Sequence, residues 1–364
     1  MAATAKTTTQ KALLVTSINS PLTLSTTHPI PTPKPTQLLL RVTLTGLNHH
    51  DQKIRDRGLW FANSLPTPLG TDIVGYVERV GSAVTQFAPG DHVFTYGNLF
   101  EEGHVSNGLQ EFAIADAAYT ARVPEGYTEE EVASVPVNFA AAYTALFDPE
   151  GGLGVPTPGS SDDVDEFGRR ALLKEETILI VGGGSNCGRY LVQLASISGF
   201  GKIVVLGGNE DELKGFGATH VLDRHGDYDT VVRPRIAAAV GGDLLYAVDA
   251  VNMPDTLYVT INALSEERKG MVARLLPSGP HATEKVVKEE GSYTVVDTTG
   301  VPQFRKVGVK MWVHISEFLE ERRVKTLGFE LVDGVGLDAE RVNEVLDGLR
   351  DGKRSGQALV RVAE

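Results

Sequence analysis

The chain has 364 residues, more than the ~250–300 over which a single hydrophobic core grows, so two domains are expected. Its 41% hydrophobic content allows a sizeable core, while 34 basic against 47 acidic side chains give a formal charge of -13, which disfavours nucleic acid or an anionic membrane surface as the main partner. The single cysteine, Cys187, excludes an intramolecular disulfide and a Cys-rich zinc site.

The first ten residues are rich in Thr and Ala, without acid and without a hydrophobic signal core. They read as a frayed tail on a cytoplasmic protein, with an organelle address as the alternative. No run approaches the ~20 apolar residues that span a bilayer. Residues 11–147 carry short strand patterns between Gly, Pro and Asn turns: Lys11 to Thr16, Gln37 to Thr45, Thr71 to Val80, His92 to Tyr96 and Gln110 to Ala115. The Pro-rich stretch from Pro29 to Pro35 is an extended surface connection. At Thr128 the pattern turns helical, with Thr128 as N-cap and Glu129 to Glu131 suiting the first-turn dipole. Residues 148–170 hold much Gly, Pro and acid and little to bury, the composition of an inserted surface loop or of a lid.

Then comes the most informative stretch. Four apolar residues, Ile178 to Val181, run into Gly182-Gly-Gly-Ser-Asn-Cys-Gly188 and a helix-like segment from Arg189 to Ser196. A strand, a tight turn and a helix start lacking side chains let backbone N–H groups approach a phosphate, with the helix dipole behind them. The spacing departs from a clean G-x-G-x-x-G, so a merely tight β–α turn is the competing account. Strand and helix patterns alternate afterwards: Lys202 to Leu206 (strand), Glu210 to Phe216 (helix), His220 to Leu222 and Leu244 to Ala250 (strands), Pro254 to Leu264 (helix) and Met271 to Leu276 (strand). That alternation predicts a parallel, doubly wound α/β sheet. The chain closes with a helix from Ala339 to Arg350, a turn from Gly352 to Gly356 and a strand from Ala358 to Val362.

Seven segments in one order resemble the medium-chain dehydrogenase/reductase superfamily: Gly46-Leu-Asn-His-His-Asp51; Pro68 to Gly75 with Val80-Gly81; Phe87 to Val93; Thr144-Ala145; the glycine turn with Gln193-Leu-Ala195; Gly217 to Asp223; and Gly352 to Gly356. The resemblance implies a GroES-like, mostly β domain over residues 1–140, completed by 312–364, and a Rossmann dinucleotide-binding domain over 141–311 that carries the 148–170 insertion. It leaves out residues 148–170 and about 277–305.

Departures from the pattern matter more than the matches. Zinc-dependent alcohol dehydrogenases of this superfamily carry a metal-binding cysteine where Asn48 stands, a histidine where Thr71 stands, and another sulfur or acid ligand near Asn138; the four-cysteine structural-zinc lobe is missing from Gly97 to Gly108. His49, His50 and Asp72 could form a replacement cluster, but adjacent histidines on a strand end point in opposite directions. One facing solvent and one packing is the expected arrangement, with no metal. The chain therefore resembles the zinc-free branch, which includes quinone oxidoreductases and the enoyl reductases that serve fungal polyketide synthases. The implied function is zinc-independent, NADPH-dependent delivery of hydride to an activated C=C in an enone, quinone or enoyl thioester, where the developing charge delocalises as an enolate that one or two hydrogen-bond donors can steady. The alternatives are a zinc-free aldehyde or ketone reductase and a non-enzymatic NADPH-binding or sensing protein.

The second strand of the Rossmann pattern ends in Gly207-Gly-Asn209 without an acid at its tip, which favours NADPH over NADH. Gly182, Gly183, Gly184, Ser185, Asn186 and Gly188 are expected at the pyrophosphate, with Asn209 and Arg224 as candidates for the ribose phosphate. Arg224 serves equally as a surface ion-pair partner. The resemblance puts Thr144 at the nicotinamide end and has Asn48 offer an amide N–H to the substrate carbonyl or the nicotinamide ribose. Asp72 is a catalytic candidate or the anchor of a β-domain loop, and Tyr143 a candidate proton donor or a core aromatic. Trp60, Phe61, Phe100, Phe139 and Trp312 are candidate walls for a planar unsaturated substrate. Cys187 is read as packing and His92 as structural. A homodimer is the expected assembly.

Overall fold

The computed structural model describes residues 8–101, 103, 105–158, 173–251, 256–275, 279, 283–332, 334, 336–354 and 356–363. It divides into two compact units, residues 1–137 with 312–364, and residues 138–311.

The first unit is built on a seven-stranded sheet in the order Phe329–Leu331, Gln357–Arg361, Gln37–Leu47, Asp72–Val80, His92–Tyr96 and Thr120–Arg122, with Phe112–Asp116 also paired to Gln37–Leu47. The long central strand Gln37–Leu47 is buried along nearly its whole length, so Leu38, Leu40 and Val42 pack on Ile73, Val77, Val93 and Ala113 instead of alternating with exposed residues. Its antiparallel partner Gln357–Arg361 brings the C-terminal residues alongside positions 44–47. A second, three-stranded sheet joins Thr23–Pro29, Thr9–Val15 and Thr67–Pro68. The strand Thr23–Pro29 carries mostly exposed or half-buried side chains, so it gives almost no apolar signal and escapes the sequence reading.

The second unit holds six parallel strands in the order His220–Leu222, Lys202–Leu206, Thr177–Val181, Tyr246–Asp249, Gly270–Leu275 and Tyr293–Thr298. Strand order reverses at Thr177–Val181. Its first two successors lie to one side and the rest to the other, which makes the turn after Val181 the topological switch point where such sheets bind ligands. One face is sealed by Leu179, Ala247 and Val272, in register across three strands, under the helices Arg233–Val240 and Leu257–Asn262.

Two expectations change here. The sixth strand, Tyr293–Thr298, is half-buried at the sheet edge and lacks the apolar run that marks its neighbours. In the insertion, Leu153 and Val155 are buried, and their amides bond to the carbonyls of Ala145 and Leu146 at 2.8 Å. Residues 148–158 thus pack back on the preceding helix Pro136–Phe147 and are no solvated excursion. Residues 159–170 of the insertion and residues 1–7 of the tail lie outside the described residues, as do residues 252–255 around the expected helix start at Pro254.

Candidate functional site

In the second unit, Ser185 caps the helix Asn186–Ser198: its Oγ accepts the Gly188 N–H at 3.0 Å and donates to the Gly182 carbonyl at 2.8 Å. The glycines around it answer to different constraints. A Cβ on Gly183 would meet Val205 at 2.2 Å, and one on Gly188 would meet the Gly182 carbonyl at 2.2 Å, so close packing forbids side chains there. Gly182 has φ +90° and faces Val251. Gly184 is exposed, and the nearest atom to an added Cβ is Gly208 Cα at 3.3 Å. Packing constrains position 184 far less than 183 or 188, and the lack of a side chain there leaves room for a phosphate on the helix N-terminus. This open cradle fits a dinucleotide pyrophosphate.

At the tip of the second strand, Asn209 Oδ1 accepts the Glu212 N–H at 2.9 Å and caps the helix Glu210–Gly215. Two nearby acids are engaged, Glu210 with Lys214 at 2.6 Å and Glu212 with Arg189 at 3.0 Å. Arg224 is exposed beside Gly207, where a Cβ would meet its Cδ at 3.0 Å, and among the described residues no carboxylate pairs with it. The ion-pair alternative for Arg224 thus finds no partner here.

The remaining candidates of this unit separate. Tyr143 and Phe139 are fully buried, stacked on each other at 5.8 Å, with Phe147 at 4.5 Å from Tyr143 and Tyr190 edge-on to Phe139. That is core packing, the competing account of Tyr143, and Phe139 is no exposed wall. Thr144 follows on the same helix with 2% exposure. Cys187 is half-buried, and its thiol donates to Asn138 Oδ1 at 3.4 Å.

In the first unit, His49 and His50 open the helix His49–Arg57 and do not end a strand. Asn48 is its N-cap residue, and the backbone N–H of Asn48 donates to the Asp51 carboxylate at 2.7 Å. The Asn48-x-x-Asp51 spacing is a capping signal that sequence reading passed over. Successive helical residues diverge by roughly 100°, so His49 is exposed while His50 is buried with Nε2 3.1 Å from Thr71 Oγ1. One histidine faces solvent and one packs, as expected, though for a helical reason.

Asp72, the first residue of its strand, has no exposed surface. Its Oδ2 accepts from Asn48 Nδ2 at 2.7 Å and from Gln357 Nε2 at 2.5 Å, and its Oδ1 from the Val137 N–H at 2.7 Å. Burial pushes its pKa up to about 8; the nearby Asp51 adds to that rise, while the three N–H donors oppose it. Asp51, equally buried, accepts the Gly70 N–H at 2.9 Å. Asn48 and Thr71 are thus an amide and a hydroxyl, each bonded to a neighbouring side chain, and among the described residues no group of three His, Cys, Asp or Glu side chains is placed to hold a metal ion.

Beside His50 lie the exposed aromatics. Trp60 tilts on Phe100 at 6.1 Å and on His50 at 6.4 Å, and it adopts φ +63°, a left-handed conformation that is costly for a bulky residue. Trp60 and Phe100 are 39% and 44% exposed, whereas Phe61 and Trp312 are buried, Trp312 against Phe94 at 5.6 Å. Two residues of this site went unnoticed in the sequence, Asp51 and Gln357; the second has no local signal, because its partner lies 285 positions away.

Comparison with known proteins agrees with this fold. Residues 34–132 match the alcohol dehydrogenase GroES-like domain. The chain is similar to a trans-enoyl reductase of Fusarium mangiferae, 25% identical over 93% of this chain and 95% of that protein. It is also similar to a chloroplast envelope quinone oxidoreductase homologue of Arabidopsis thaliana, 32% identical over 54% of each chain. A mycobacterial protein solved in complex with NADPH superposes with a TM-score of 0.71 at 21% identity, covering 97% of this chain and 99% of that one. No helix among the described residues is long and apolar enough to cross a membrane.

Proposed function

Because the chain belongs to the medium-chain dehydrogenase/reductase superfamily, we propose that it is a zinc-independent, NADPH-dependent reductase of activated C=C bonds, acting on an enone, a quinone or an enoyl thioester. One observation carries this reading. At two of the three positions where zinc-dependent relatives place metal ligands, this chain has Asn48 bonded to Asp72 and Thr71 bonded to His50, an amide and a hydroxyl suited to hydrogen bonding and poor at holding a divalent ion.

Such a donor set selects its chemistry. Reduction of a simple ketone concentrates a full charge on one oxygen, whereas reduction at the β-carbon of a conjugated carbonyl spreads it as an enolate. Asn48 Nδ2 donates to Asp72, and this amide is the proposed donor to the substrate oxygen. Trp60 and Phe100 offer flat apolar surface to the conjugated part of the substrate.

Reduced nicotinamide, when bound, supplies the hydride. Gly182, Gly183, Gly184, Ser185, Asn186 and Gly188 would hold its pyrophosphate, Thr144 its nicotinamide end, and Asn209 with Arg224 its ribose phosphate. Arg224, with which no carboxylate pairs among the described residues, and the neutral strand tip support NADPH over NADH. The NADPH complex of the mycobacterial fold neighbour supports the same choice by similarity of fold.

Steady-state NADPH oxidation with an enone, a quinone and an aldehyde, each with and without chelator, tests the proposal. Enone or quinone turnover indifferent to chelator is expected. Aldehyde turnover that chelator abolishes would overturn it.

A further inference from the structure

Gln357 lies at the start of the strand Gln357–Arg361, is 2% exposed, and is the only side chain of that strand bonded to the candidate site among the contacts of the described residues. Its Nε2 donates in two directions, to Asp72 Oδ2 at 2.5 Å and to the Ala133 carbonyl at 3.3 Å. Two acceptors facing one end of the amide fix which end it is, because the flipped amide would set its oxygen against a carboxyl oxygen and a carbonyl oxygen. The packing leaves no slack. A Cβ on Gly46 would meet Gln357 Nε2 at 2.6 Å and Asp72 Cβ at 2.9 Å, so position 46 is glycine to let the two side chains close on each other.

Asp72 then transmits that orientation. Its Oδ2 receives both Gln357 and Asn48, and its Oδ1 receives the Val137 N–H. With both oxygens engaged, the carboxyl plane is set, and Oδ2 faces Asn48 with a lone pair. An oxygen with two lone pairs serves two amides whether the carboxyl is charged or carries its proton on Oδ1. Facing an acceptor, Asn48 turns its nitrogen toward Asp72, and this fixes the orientation of its amide.

We propose that Gln357 is a positioning residue for the reduction: through Asp72 it fixes the side-chain amide of Asn48, the donor to the substrate oxygen. The inference rests on the functional reading above and goes beyond it by assigning a role to a residue on the C-terminal strand. Loss of Gln357 leaves Oδ2 short of one donor. The carboxyl is then free to rotate, and Asn48 loses its fixed acceptor.

A double-mutant cycle tests this. Gln357→Met removes the donor at similar length and is expected to lower kcat on the order of tenfold, with the Kd for NADPH unchanged. In an Asn48→Ala background, Gln357→Met is expected to change kcat by less than about twofold, because the effect passes through Asn48. Equal losses in both backgrounds would overturn the proposal. The side-chain amide signal of Asn48 in nitrogen-15 NMR spectra gives a reading independent of turnover: slow hydrogen exchange in the parent protein and fast exchange in Gln357→Met are expected. If the parent protein reduces no activated alkene, the functional reading fails, and the exchange measurement still decides whether Gln357 fixes Asn48. Unchanged exchange in a folded Gln357→Met protein would refute the coupling.

Discussion

Asn48 and Asp72 meet side chain to side chain at 2.7 Å, one capping a helix and the other opening a strand, so the amide is held by two elements at once. Removing an oriented donor of this kind costs about 10²–10³ in kcat in enzymes that steady an oxyanion. Asn48→Ala is therefore expected to lower kcat for an enone by about a hundredfold, with the Kd for NADPH unchanged. Stopped-flow kinetics and a fluorescence titration check the two halves. Undiminished turnover would remove Asn48 from the chemistry.

Asp72 links stability to pH. Its pKa rises from 3.8 to about 8, chiefly through burial, so between those values the native state keeps a proton that the unfolded chain has released. The stabilisation from this group is fully present below about pH 4 and is lost as pH approaches 8. Comparing melting temperatures of the parent protein and Asp72→Asn from pH 5 to 8 isolates the effect: the parent is expected to lose stability relative to the variant across that window. A difference independent of pH would contradict the assignment.

Two neighbouring glycines are predicted to fail differently. A Cβ at Gly184 would meet Gly208 Cα at 3.3 Å, a contact that a small shift relieves, so Gly184→Leu is expected to cost little in melting temperature while weakening NADPH binding by more than about tenfold. Gly183→Leu strikes Val205 and the Gly207 carbonyl and is expected to damage the fold itself, at about 1–3 kcal/mol or more. Calorimetry alongside cofactor titration separates the two. Normal NADPH affinity in Gly184→Leu would displace the pyrophosphate from this turn.

On the proposed function, Arg224 discriminates between the two nicotinamide cofactors. Charge-assisted bonds to a phosphate contribute roughly 1.5–3 kcal/mol, so Arg224→Ala is expected to weaken NADPH by about ten- to a hundredfold and to leave NADH nearly unchanged. Equal effects on both would mean that Arg224 does not meet the ribose phosphate.

How much of this was legible beforehand follows from where the signal resides. The glycine turn and the parallel strands Thr177–Val181 and Lys202–Leu206 write their burial into continuous apolar runs, and both were readable. Tyr293–Thr298 is half-buried, and Thr23–Pro29 is largely exposed, so neither announces itself. The helix at His49 was missed because Gly46-Leu47 continue a buried strand right up to the cap. In the site, the resemblance picked out Asn48 and Asp72, since each stands in one of its segments, Gly46 to Asp51 and Pro68 to Gly75. The hub that holds them did not show, because Gln357 reaches Asp72 only through the pairing of the last strand with Gln37–Leu47. Tyr143 and Phe139 had the right chemistry, but a helix whose apolar residues run nearly all round is buried on every side.

The most direct test follows the hydride. With NADPH deuterated at the transferring position, a small enone and protein dialysed against chelator, the product can be read by deuterium and proton NMR. The account predicts deuterium on the β-carbon of a saturated ketone, formed at the rate seen without chelator. Deuterium on the carbinol carbon of an allylic alcohol, or turnover that appears only when a divalent metal is restored, would contradict it.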